Sequence, residues 1–289
     1  MSKITVEKVI NKAESTDAKL LKMSEEFKVA LEETLRKLEK KIVGLLEDYT
    51  KNATTAKQID IDFALETRTQ LNQLLTESGY YSNVEDALAK YSGIIKEVKA
   101  QYLLFGTKIN YSASDSKILK ELIKLDTAKF TNIAQTTIDQ IYKSLIDVTL
   151  TPTTFNEAVS AVRSAIENTD MKKYAYTQMN TAYMDFFRRV NNITNDNAGF
   201  ERVMYVGPID KVTRPFCLNH VGEVMTKEEA IKLKNDAKES AYIYGGGWNC
   251  RHQWIGIPNT LDTTDIEQAS KANVEKVEQE KKNVNKSNK

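Results

Sequence analysis

The first 150 residues contain no proline, and all four prolines of the chain (Pro152, Pro208, Pro215, Pro258) follow residue 151. Proline fixes φ and removes a backbone donor, so a stretch without it lets the 3.6-residue helical repeat run on. From Glu26 the apolar positions Phe27, Leu31, Leu35, Leu38, Ile42 and Leu45 step by three or four and share one side of a helix, with Lys and Glu opposite. A second helix is predicted over 60–77, with Phe63, Leu71, Leu74 and Leu75 apolar and Gly79 placed to close it in the left-handed conformation. Ser82 and Glu85 have capping-box spacing ahead of Val84, Leu88, Tyr91, Ile95 and Val98, which predicts a third. Two more are expected over 115–125 and 127–148. Thr154 then offers an N-cap for a helix to about 166, and Thr169 or Asp170 opens another through Val190.

After Asn191 the pattern changes. NNITNDNAG reads as a polar connector, and ERVMYVG as a short strand ending at Gly-Pro. Thr213 and Pro215 mark a helix start, Thr226 with Glu229 forms a second capping box for a helix to about 237, and AYIYGGG is again β-prone. The fold class expected is mainly α: a long helical N-terminal region over 1–195, a small α+β domain over 196–260, and a charged tail over 261–289 too poor in aromatics to order itself.

Several function classes are excluded by simple arithmetic. The chain of 289 residues holds 41 Lys and Arg against 40 Asp and Glu, a net charge of +1, so a protein held to DNA mainly through phosphates is not expected. The Lys-rich tail allows only a weak, salt-sensitive, sequence-blind contact. No run approaches the roughly eighteen apolar residues of a membrane span, and the start MSKITVEKVINKAES lacks an apolar signal core, so synthesis in the cytoplasm is expected. Two cysteines cannot build a disulfide framework, and a chain this long needs none.

Both cysteines (Cys217, Cys250), both histidines (His220, His252) and both tryptophans (Trp248, Trp254) fall within one short segment, and five of the eight arginines lie between 188 and 251. The order Cys-x2-His, then Cys-x-His, supplies two thiolates and two imidazoles, the donor set of tetrahedral zinc, so Cys217, His220, Cys250 and His252 are candidate metal ligands. Two buried free thiols or a Cys217–Cys250 disulfide satisfy the same residues. A nucleophilic Cys217 with His220 or His252 as base is the enzymatic alternative, without an identifiable third group. Gly245-Gly246-Gly247 is followed by neither Lys-Ser/Thr nor a helix start, so it is no phosphate cradle and reads instead as a tight turn or close backbone approach.

Taken together, YVGPIDKVTRPFC, then GEVMTKEEA, then YGGGWNCRHQW resemble the C-terminal signature of the phage Mu F-type (MuF) head-morphogenesis or minor head proteins. The matching positions are Asp210, Thr213, Arg214, Cys217, Gly222, Asn249, Cys250, Arg251 and His252, and the match covers about 170–257. The resemblance implies a non-enzymatic virion component that binds the portal vertex during procapsid assembly, in the host cytoplasm. It is then packaged inside the head near the portal and assists DNA packaging or ejection. Its implied partners are the portal protein and the major capsid or scaffolding protein, and zinc is the cofactor the donor set allows. MuF-type modules also occur attached to toxin domains, which keeps a Cys/His-dependent enzyme or toxin-associated module as the alternative. A DNA-binding accessory factor stands behind it.

Overall fold

The computed structural model describes residues 6–51, 61–150 and 154–264, with single positions at 271, 274, 275 and 279. The expected tail beyond Thr264, apart from those positions, and the residue 60 start of the second helix lie outside the described residues. Among the described residues the chain is mainly helical, with one small three-stranded antiparallel sheet toward its C-terminal end. It divides into two compact units, neither a single stretch of sequence. One takes Met1–Lys22, Tyr91–Leu122 and Asn180–Lys289, the other Met23–Lys90 and Ile123–Met179.

Among its described residues the second unit is helical apart from short turns. Helix α1 (Val6–Lys51) supplies the predicted stripe to it, with Leu46 rather than Leu45 as the buried last step. The stripe starts earlier than Glu26, because Ala13, Thr16 and Leu20 continue the same spacing and are buried. Helix α2 (Ile61–Glu77) ends as expected, with Gly79 at φ 96. Helix α3 (Tyr80–Ala89) departs from expectation: it begins beside Gly79 with no side-chain cap, and the Ser82 hydroxyl donates to the Gly79 carbonyl instead of forming a box with Glu85. The single helix expected to run on through Val98 stops at Lys90, whose N–H tightens onto the Ala87 carbonyl, and restarts as α4 (Tyr91–Leu103) with Ile94 buried in place of Ile95.

The two helices expected over 115–148 are one, α5 (Ala113–Thr149), since no Gly or Pro interrupts the backbone and Asp126 is accommodated by an ion pair with Lys129 at 2.8 Å. Helix α6 (Phe155–Glu167) opens at the predicted N-cap Thr154, which the structure completes as a capping box with Glu157. Inside this unit Phe27 meets Phe130 edge-on at 5.7 Å, the Tyr80 hydroxyl donates to the Phe130 carbonyl at 2.8 Å, and Asn83 donates to Thr34 at 2.9 Å. Each fully buried Leu or Phe contributes about 1.5–3 kcal/mol, whereas exposed ion pairs such as Arg163–Glu39 add well under about 1 kcal/mol each.

The other unit carries the sheet. Helix α7 (Asp170–Ala198) enters it at Asn180 and overturns the expected connector, running through NNITNDNA to Gly199 at φ 65. Its asparagines are a tethering face: Asn191 donates to Gln253 at 2.5 Å and Asn192 to the Tyr242 carbonyl at 3.1 Å. Amides that favour loops in isolation are held helical here by partners distant in sequence. Strand β1 (Arg202–Val206) forms where ERVMYVG predicts it and lies between β2 (Val224–Thr226) and β3 (Gln253–Ile257), with Tyr205 opposite Trp254 and Met204 opposite Val224. Side chains alternate faces along β1, so Val203 and Tyr205 join a core with Phe216, Cys217, Cys250 and Trp254, while Met204 and Val206 pack with Ala13, Ile255 and Ile257 on the other. Short helices α8 (Pro215–His220), α9 (Lys227–Lys232, on the predicted Thr226–Glu229 box) and α10 (Ala241–Tyr244) cover the first face. AYIY is thus a helical turn, not a strand, because Ser240 O collects the N–H groups of Ile243 and Tyr244. Helix α9 stops at Lys232, short of the expected 237, where Leu233 turns extended and Lys234 bridges to Ser240.

Candidate metal centre

Cys217 sits in α8, which Pro215 starts with its preset φ after an extended Arg214. Cys250 and His252 follow the glycine triplet, on a loop in which Asn249 takes φ 55. The triplet is needed for close approach: a Cβ on Gly246 would lie 2.5 Å from the Cys217 sulfur, and the Gly246 N–H donates to the Cys250 sulfur at 3.1 Å. On the other side a Cβ on Gly207 would meet the His252 ring at 2.6 Å. Backbone thus reaches the sulfurs and the imidazole where any side chain would block it.

The result is a sealed cluster. Sulfurs of Cys217 and Cys250 are free and 3.6 Å apart, the Cys250 sulfur is 3.9 Å from His252 Nδ1, and all three donor atoms lie within 4.8 Å of one another. Each of these residues is about 2% exposed or less. The Tyr205 hydroxyl lies 3.5 Å from the Cys217 sulfur and 3.8 Å from that of Cys250, and its ring stacks on His252 at 5.4 Å. His252 Nε2 is buried without a hydrogen-bond partner.

Electrostatics favour one thiolate. The hydrogen bond from the Cys217 thiol, opposed by burial and aided by His252 and the Arg188 guanidinium, pulls the Cys250 thiol well down, while that same bond and burial push Cys217 up. Cys217, the candidate nucleophile, is therefore the protonated member. Burial, then the two sulfurs, hold the Tyr205 phenol protonated. Arg188, 1% exposed, braces the loop from behind by donating to the carbonyls of Cys250 and His252 at 2.9 Å and of Ile243 at 3.1 Å, and it pairs with Asp185 at 2.7 Å.

Cys217, Cys250 and His252 could hold a metal ion. Their chemistry fits: zinc takes thiolate at about 2.3 Å and imidazole at about 2.0 Å, which sets tetrahedral neighbours about 3.5–3.8 Å apart. His220 does not join them; its Nδ1 meets Glu223 at 2.5 Å and its ring packs on Phe216. The remaining motif residues are brought together around the cluster. Arg251 pairs with Asp210, which also accepts from Thr213 at 2.9 Å. Arg214 donates to the Trp248 carbonyl, Gly222 donates to the Tyr205 carbonyl at 2.8 Å, and Asn249 bonds Asn180 through its side chain and Thr181 through its N–H.

Three participants are invisible to spacing arguments. Tyr205 reads as a strand residue and Arg188 as a helix residue. Asp17 lies in α1, far away along the chain, yet burial raises its carboxyl to about 6 against the opposing fields of Arg251 and His252. A carboxyl with a raised native pKa binds its proton more tightly folded than unfolded. Its contribution therefore falls as pH rises from about 4 to about 6 and is flat above. Asp17→Asn should raise stability near pH 7 by about 2–3 kcal/mol and flatten the loss between pH 4 and 6, read from urea midpoints at each pH. An unchanged pH profile would contradict this placement of Asp17.

Comparison with protein-family models, with curated proteins and with solved structures gives no match. Among the described residues no helix is long and apolar enough to cross a membrane.

Proposed function

We propose that the chain is a structural minor head protein of a phage, which binds the portal vertex during procapsid assembly in the host cytoplasm and is packaged in the head near the portal. There it assists DNA packaging or ejection. In this reading Cys217, Cys250 and His252 hold one zinc ion that braces the α+β part, and the long helices offer surface to the portal and to capsid or scaffolding protein. The observation that carries it is the use made of the motif. Asp210, Thr213, Arg214, Gly222, Asn249 and Arg251 direct their hydrogen bonds to groups of the same unit, and both sulfurs are sealed in its core. Such an arrangement supports a rigid knob rather than a reaction centre open to substrate.

Half-exposed Trp248, with its carbonyl held by Arg214, and strongly exposed Val212 give that knob the aromatic and apolar surface typical of partner contacts. Full-length protein mixed with portal oligomer should co-elute in size-exclusion chromatography, and Trp248→Ala should weaken the complex about tenfold or more without lowering the melting temperature. Separate elution at micromolar concentrations would overturn the proposal.

A further inference from the structure

Three protein donors leave a tetrahedral ion one position short, and a fourth donor, the Tyr205 hydroxyl oxygen, lies beside the two sulfurs. The Tyr205 hydroxyl is 3.5 Å from one sulfur and 3.8 Å from the other, while the sulfurs are 3.6 Å from each other and Cys250 is 3.9 Å from His252 Nδ1. These approximate four of the six edges of a tetrahedron around zinc, where thiolate and oxygen ligands stand about 3.5 Å apart. The Cys217 sulfur lies within 4.8 Å of the His252 donor. Strand β1 fixes the tyrosine by its pairing with Trp254, and the ring is held between His252, stacked at 5.4 Å, and Trp254 at 4.7 Å. The residue is fully buried. His220, the histidine that spacing offers as the fourth donor, is engaged with Glu223.

We infer that Tyr205 is the fourth ligand, closing the site as Cys217, Cys250, His252 and Tyr205 with no position left for water. The inference rests on the metal reading above and specifies its donor set. Without metal the phenol hydroxyl lies within hydrogen-bonding distance of both sulfurs. A dication among them reverses the preference for the proton, because a bound cation becomes the largest local charge. On binding, the metal–sulfur and metal–oxygen bonds form and the thiol and phenol protons leave to solvent. The shell of two thiolates, one phenolate and a neutral imidazole carries one net negative charge with a dication. Arg188 sets its guanidinium against that charge, bonded to the carbonyls of two ligand residues, and the N–H groups of Gly246 and His252 already point at the Cys250 sulfur at 3.1 and 3.4 Å.

The test uses the full chain, stripped with chelator and titrated with zinc. Calorimetry in buffers of different ionisation enthalpy counts released protons, and ultraviolet difference spectra report ionised phenol. Wild type should release about one proton more per zinc than Tyr205→Phe and develop a tyrosinate band that the variant lacks, and the variant should bind zinc at least about tenfold more weakly. Phenylalanine keeps the stacked ring; should that variant nevertheless fail to fold, the wild-type difference spectrum decides alone, and no tyrosinate band on saturation overturns the assignment. Equal proton release and equal affinity in wild type and Tyr205→Phe would also overturn it while leaving a three-residue metal site intact. A folded wild type that takes up no zinc would instead sink the metal reading itself.

Discussion

Arg188→Met should destabilise the protein by about 3–5 kcal/mol, lowering the urea midpoint with little change in the slope of unfolding free energy against denaturant. The side chain keeps its length, but three carbonyls, those of Ile243, Cys250 and His252, lose a donor, and Asp185 loses its 2.7 Å partner. A buried acceptor left without a partner costs about 1–3 kcal/mol, so even partial rearrangement leaves a large deficit. Arg188→Lys should recover only part of it, since an ammonium offers its donors from a point and cannot span groups arranged around a planar fork. An Arg188→Met protein within about 1 kcal/mol of wild type would mean that the loop carrying Cys250 and His252 holds itself, contrary to the geometry.

Loss of the proposed zinc ion should be comparable in size. An ion present at about a thousand times its dissociation constant stabilises the folded chain by about 4 kcal/mol, which for a protein of this length corresponds to a fall in melting temperature on the order of 10 °C when it is removed. Cys250→Ser should show that fall without any chelator and should melt at the same temperature whether or not zinc is added. Its effect on folding should exceed that of replacing an ordinary buried cysteine, because the Cys250 sulfur also accepts from the N–H groups of Gly246 and His252. Serine presents a shorter, harder oxygen that neither N–H reaches as well.

The helical stripes were legible because nothing local competes with them: Phe27, Leu31, Leu35, Leu38 and Ile42 are all buried at the spacing the sequence displays. The N-cap at Thr154 and the capping box at Thr226 form as the sequence predicts, whereas the serine box at Ser82 loses to a helix that begins at Tyr80. Two of the misreadings share one cause. Asn191, Asn192 and Asn195 look like a linker until Gln253 and Tyr242 come to bond them, and AYIY looks like a strand until Ser240 collects its N–H groups. Strand β3 was missed altogether: QWIGI is buried on both faces, so it shows no alternation of apolar and polar residues to read.

The site was legible in composition and partly in membership. Crowding of the cysteines and histidines into one short segment pointed to Cys217, Cys250 and His252, but a two-residue gap could not reveal that His220 would turn to Glu223. Tyr205 and Arg188 reach the cluster through strand pairing and helix packing, and Asp17 through burial of an N-terminal helix, relations that have no signature in local sequence.

Native mass spectrometry of the full chain, purified without added metal or chelator, tests the central claim that this module is built around its paired sulfurs. The expected result is a folded protein carrying one zinc ion per chain, lost in Cys250→Ser together with the thermal stability that zinc confers. A compact, metal-free wild type whose melting temperature is indifferent both to zinc and to replacement of Cys250 would contradict it.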